Sequence, residues 1–121
     1  MPRLPPPSPG APVFDSEYFR STLQADVDAA DRPAIVELFL TTGQVLRLRS
    51  VLAVHNEYVT LETYQEARFE GLRPPRWKAE ALPGQALPPT RRAVVAYAGI
   101  VALTITPEPA EETQRAGFVQ R

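Results

Sequence analysis

Residues 33–63 read PAIVELFLTTGQVLRLRSVLAVHNEYVTLET, three apolar alternations separated by two polar breaks, and that pattern places a β-meander here. A strand sends successive side chains to opposite faces, so an apolar period of two marks a sheet with a buried face. In the first run, Ala34 to Leu40, one face carries Val36, Leu38 and Leu40 and the other Ile35, Glu37 and Phe39. Both faces are largely apolar, which predicts cover on two sides. Thr41-Thr42-Gly43-Gln44 makes the first turn, with Gly43 free to take positive φ. In the second run Leu46, Leu48 and Leu52 are expected to face inward with Ser50, and Arg47 and Arg49 outward. The third, Tyr58 to Tyr64, sets Val59, Leu61 and Thr63 against Tyr58, Thr60, Glu62 and Tyr64, with Arg47 or Arg49 in cross-strand reach of Glu62.

Outward from the meander, Arg92 to Thr106 (RAVVAYAGIVALTIT) supplies two more strands around Gly99, Arg92 to Tyr97 and Ile100 to Thr106, the last with Val101, Leu103 and Ile105 on one face. On the N-terminal side, Phe14 to Ala30 reads as a helix. Asp15 caps its first turn, Phe14 staples to Phe19, and Phe19, Leu23 and Val27 form an apolar stripe that packs on the sheet. Asp31-Arg32-Pro33 ends it, because the residue before proline disfavours the helical region. The expected fold is mainly β: a five-stranded, strongly bent sheet or small barrel with an N-terminal α-helix and a long loop between strands three and four.

The organisation expected from these readings is a proline-rich arm over 1–13, one domain over 14–106 and a flexible C-terminal tail over 107–121. Residues 1–12 hold six prolines, with PxxP spacings at Pro2 to Pro5 and Pro6 to Pro9. Within the domain, 65–90 is a long insertion broken by Pro74, Pro75, Pro83, Pro88 and Pro89, and only Arg76 to Leu82 is fit for an extended element. With no cysteine, disulfides, thiolate metal sites and cysteine nucleophiles are excluded. The net charge of −1 argues against a dedicated nucleic-acid wrapper, but the charge is unevenly spread. Phe14 to Asp31 carries net −4, and Arg32 to Thr106 carries nine cations against six glutamates, net +3. Twelve of the thirteen cations are arginine, a bias that GC-rich coding imposes and that phosphate binding would also favour. A prolyl N-terminus unlike a signal peptide, and the lack of a long apolar run, lead to the expectation of a soluble cytoplasmic protein without a membrane partner.

A helix, a three-strand meander, an insertion and a final strand pair around a short kink resemble the Sm-like fold, an SH3-like barrel, and in particular its bacterial host-factor-Q (RNA chaperone) branch. Phe39-Leu40-Thr41-Thr42-Gly43 is similar to the end of the first strand of the first Sm motif. Leu46, Val59 and Leu61 fall on its apolar positions, and Tyr97-Ala98-Gly99-Ile100-Val101 sits where the second motif would. The similarity spans about Asp15 to Thr106 without 65–90. It implies the fold and rings in which strand four of one subunit pairs with strand five of the next. The family's RNA-binding residues are not retained: Val54, His55 and Asn56 stand at the loop aspartate, and Ala98-Gly99 at the basic pair of the second motif.

For chemistry, Arg73-Pro-Pro-Arg76-Trp77-Lys78 is the candidate contact surface, since a tryptophan stacks bases while flanking cations engage phosphate, and Arg91 and Arg92 are placed to join it. The plainer alternative is that Trp77 folds back over an exposed end of the barrel. His55, the only histidine, falls in the turn between strands two and three, where it is either solvated or faces a ring's pore. No Gly-rich phosphate loop and no nucleophile with a base is present, so no enzyme, cofactor or metal site is expected. The expected function is an oligomeric module that binds single-stranded RNA, or single-stranded DNA, through the basic-aromatic loop. The alternative is a homo-oligomeric, non-catalytic scaffold that has lost RNA binding and engages a protein partner through its proline-rich arm or loop 65–90.

Overall fold

In the computed structural model the described residues are 13–65 and 72–108. The expectations for the arm over 1–12, for 66–71 and for the tail beyond Glu108 lie outside them. Five strands, β1 (Ala34–Leu40), β2 (Val45–Val54), β3 (Tyr58–Tyr64), β4 (Thr90–Ala96) and β5 (Ile100–Pro107), form one antiparallel sheet in the order β4-β3-β2-β1-β5. A 3₁₀ turn, Tyr97–Gly99, separates β4 from β5. β1 and β3 have the expected bounds, and β4 starts two residues earlier than expected.

The helix begins as its sequence dictates. Tyr18 N donates to Asp15 Oδ1 at 2.9 Å, and the Phe14 and Phe19 rings lie 6.4 Å apart. Ser16 and Glu17 start the helix, Tyr18–Thr22 is a π-turn, and Leu23–Ala29 (α1) continues as regular α-helix. Side chains four apart drift by about 40° per step on an α-helix, and the wider π-turn offsets that drift, so Phe19, Leu23 and Val27 all reach the sheet. Asp31, at φ 55, takes the left-handed position that stops the helix. Gly43, at φ 88, closes the β1–β2 turn, with Gly43 N bonded to Leu40 O at 2.9 Å.

The core lies between the helix and one face of the sheet: Val36 and Leu38 of β1, Leu46 and Leu48 of β2, Val59 and Leu61 of β3, Val95 of β4, and Tyr97. Three expected facings are corrected. Ser50 does not face inward with Leu48; it pairs Glu62 and bonds its carboxylate, on the face away from Val51 and Leu61. Leu52 does not face inward; it is 47% exposed, while Val51 and Val54 pack on the core. β2 skips one residue between Leu48 and Ser50 and another between Val51 and Ala53 in its pairing with β3. Each bulge shifts the alternation by one residue and bends the strand, which hands the inward places to Val51 and Val54. Val101 does not share the face of Leu103 and Ile105. It is the residue passed over where Phe39 pairs Ala102 and Leu40 pairs Ile100, so Ile100 packs on the core and Val101 is 60% exposed.

The expected extended element at Arg76 to Leu82 is also absent. Residues 77–78 form a turn, and the described part of the insertion holds only isolated bridges, Leu72 with Ala86 and Leu82 with Gln85. Prolines remove ladder donors on both sides, so the segment bonds to the sheet at single points. Trp77 N donates to Ala34 O at 2.9 Å and Lys78 N to Arg49 O at 2.7 Å. These carbonyls belong to β1 and β2 beyond Glu37–Arg47, where the pairing of those two strands stops. The insertion therefore bridges a seam between β1 and the bulged part of β2.

Candidate functional site

Trp77 sits where that bridge meets the helix. Its indole is half-buried against the core, and Nε1 donates to Gln24 Oε1 of α1 at 3.3 Å. The neighbouring cations divide by their bonds. Arg76 Nε donates to Glu108 Oε1 at 2.7 Å, and its backbone carbonyl accepts from the Tyr64 hydroxyl at 2.6 Å. Arg73 donates to the Glu80 carbonyl. Lys78 is exposed and holds its ammonium 5.6 Å from the Trp77 ring centroid, a cation–π placement. Three of the four side chains of the basic-aromatic cluster are thus hydrogen-bonded within the chain. Trp77 packs against the core beside α1.

Beneath the crossing lies a polar cluster. Arg49 Nη1 donates to Glu62 Oε1 at 2.8 Å, and Arg49 Nε and Nη2 both donate to Ala79 O, at 3.2 and 3.1 Å. Ser50 and Thr90 donate to the same carboxylate at 3.0 and 3.1 Å. Burial pushes the Glu62 carboxyl up, but the hydrogen bonds from Arg49, Ser50 and Thr90, with the charge of Arg49, outweigh it and hold Glu62 below the usual carboxylate range. Of the two arginines expected to reach Glu62, Arg49 does so; Arg47 instead meets Glu37 at 3.4 Å. These contacts staple the insertion to β2 and β3. Buried polar side-chain atoms among the described residues all have partners.

A groove of about 350 Å³ runs between the helix and the bulged half of β2. Phe19, Leu23, Val51, Leu52, Val54 and Trp77 line it, with Arg20, Gln24 and Lys78 as its polar groups. The fourfold spacing of Ser16, Arg20, Gln24 and Asp28 puts them on the helix face away from the apolar stripe, yet Arg20 and Gln24 rim the groove; Val51 was not singled out, because its place needs the bulge.

His55, Arg91 and Arg92 do not join this cluster. His55 lies beyond the other end of β1, stacked on Tyr58 with ring centroids 4.3 Å apart, and both rings are exposed. Its carbonyl accepts from the Tyr97 hydroxyl at 2.6 Å, and Tyr97 N donates to Glu57 O at 3.1 Å. Thr41 N donates to Gly99 O at 2.9 Å, so the turns at 41–44, 55–57 and 97–99 gather at one end of the sheet. The sequence placed Tyr58 on one face of β3 but gave no sign of its stack with His55, which depends on the folded turn. Arg91 and Arg92 are exposed on β4, opposite Thr63 and Glu62 of β3.

Among the described residues no three His, Asp or Glu side chains gather to hold a metal ion, and no helix is long and apolar enough to cross a membrane. Compared with known proteins, the chain matches no family model, no curated protein and no solved structure.

Proposed function

We propose that this chain is a non-catalytic Sm-like module that assembles edge to edge, β4 of one copy against β5 of the next, and that the assembly is a scaffold for a protein partner. The sheet order carries the reading. Among the described residues β4 and β5 are its two outer strands, and each presents a backbone edge beside an exposed valine, Val94 at 65% and Val101 at 60%. A long apolar edge left open templates pairing with another chain, and a head-to-tail pairing of two different edges gives a ring where the rotation between copies closes. The scaffold is favoured over the basic-aromatic nucleic-acid surface because Arg73, Arg76 and Trp77 spend their polar groups inside the chain. Light scattering on the eluting protein is the test: a mass of several chains at micromolar concentration is expected, and a strictly monomeric species overturns the reading.

A second reading, single-stranded RNA or DNA binding, is favoured by different residues from those first singled out. Adjacent Arg91 and Arg92 are exposed on β4, and the His55–Tyr58 stack offers an open aromatic face at the turn cluster. Retention of labelled polynucleotide that falls steeply with salt would support it, since each phosphate contact on a single strand adds about 0.7 to the log–log slope. Retention that is absent at low salt removes this second reading and leaves the scaffold.

A further inference from the structure

The groove between the helix and β2 has a one-sided chemistry. Its wall is apolar and aromatic, and three of its four polar side chains, Arg20, Lys78 and Trp77, only donate hydrogen bonds. Its occupant should therefore be apolar, rich in carbonyl acceptors and poor in N–H donors. A run of prolines has that composition, because each proline keeps its carbonyl and lacks an N–H, and polyproline segments dock against aromatic walls with little ordering cost. The chain itself supplies one. Residues 1–12, MPRLPPPSPGAP, lie outside the described residues and contain six prolines.

The described structure starts at Val13, 79% exposed, next to Phe14, whose ring is 6.4 Å from that of Phe19 in the groove wall. The arm is thus tethered beside one end of the groove, and twelve residues in polyproline form reach about 37 Å. We propose that the proline-rich arm of the same chain seats in this groove against Trp77. The tether sets an effective concentration of about a millimolar, so even a weak intrinsic affinity keeps the seat occupied. The Trp77 indole N–H exchanges its long bond to Gln24 for a prolyl carbonyl, and Lys78 and Arg20 take others. In this arrangement the arm is an internal competitor, and a partner that uses the Trp77 surface must displace it. The inference stands on the groove and the arm and does not rest on the assembly.

Trp77 is the only tryptophan, so its fluorescence reports the groove directly. The experiment measures acrylamide quenching of the full-length chain and of a full-length variant with Pro5, Pro6, Pro7 and Pro9 all replaced by Ser. The quenching constant is expected to rise about twofold in that variant, as loss of a seat held at millimolar effective concentration uncovers the indole, and to fall back when the synthetic peptide MPRLPPPSPGAP is added at about 1 mM. Leu52→Asp, on the exposed groove wall, should raise the constant as much, and the combined variant no further. An unchanged constant in the serine variant overturns the proposal. Protection that grows with protein concentration overturns it too, and assigns the seat to the arm of a second copy.

Discussion

At the scale of single residues, the balance between burial and bonding is clearest at Glu62. Three side chains donate to it, and its carboxyl titrates below the usual range. A carboxylate whose folded pKa is depressed contributes stability that is complete above its unfolded pKa and is lost as the pH falls through its folded pKa. The wild-type chain should therefore lose melting temperature on the acid side of the ordinary carboxylate range. Glu62→Gln should be less stable at neutral pH by about 1–2 kcal/mol, with a flatter acid limb. Melting curves from about pH 7 down to about pH 3 check both signs, and an acid limb as steep in the variant as in wild type would assign the pH dependence elsewhere. Trp77 yields a second test. Its half-buried ring covers the core beside the seam, so Trp77→Ala should cost about 2–3 kcal/mol in urea unfolding, less than full burial would give. Trp77→Phe keeps the packing and loses the bond to Gln24, a cost of about 0.5–1 kcal/mol. Equal losses in the two variants would mean that the bond, not the ring, matters.

At the scale of elements, period-two alternation sufficed wherever the ladder is regular. β1 and β3 were legible to the residue, as were the cap at Asp15 and the turn at Gly43, because each depends on side chains and φ preferences local in the chain. Leu52 and Val101 were misplaced for one common reason. A bulge depends on the partner strand, and nothing in VLRLRSVLAV or IVALTIT marks which residue the partner passes over. The insertion was legible as a loop but not as the bridge of the β1–β2 seam, since that role rests on two carbonyls, of Ala34 and Arg49, more than twenty residues away. The candidate site suffered most: the run Arg73 to Lys78 reads as a free basic-aromatic patch, whereas the acceptors that occupy it, at Glu80, Glu108 and Gln24, are neighbours only in the folded chain. The bulge reading is testable by a neighbouring pair. Val51→Asp should destabilise by about 3 kcal/mol or more, because it sets a carboxylate toward the core, and Leu52→Asp by less than about 0.5 kcal/mol. Strict alternation demands the reverse order, so chemical denaturation of the two variants decides between them.

At the scale of the whole molecule, the helix covers one face of the core and the insertion closes a seam, but among the described residues no strand pairs with the outer edge of β4 or of β5. The proposed assembly joins unlike edges, and that asymmetry makes a stringent prediction. In a head-to-tail contact every copy uses its β4 once and its β5 once, so a lysine on either strand should disable the whole assembly. Val94→Lys leaves the β5 edge intact, and Val101→Lys leaves the β4 edge intact; both positions are exposed, so the fold of each variant should persist. Each variant alone should elute as a monomer in size exclusion with light scattering. Mixed in equal amounts, the two should form a dimer and nothing larger, since one sound β4 can meet one sound β5 and the remaining two edges are both blocked. A symmetric β4-to-β4 contact behaves differently: Val101→Lys would then assemble like wild type, and the mixture would gain nothing over its parts. Variants that both keep the wild-type mass would place the contact away from the sheet edges, on a surface such as the apolar groove beside the helix.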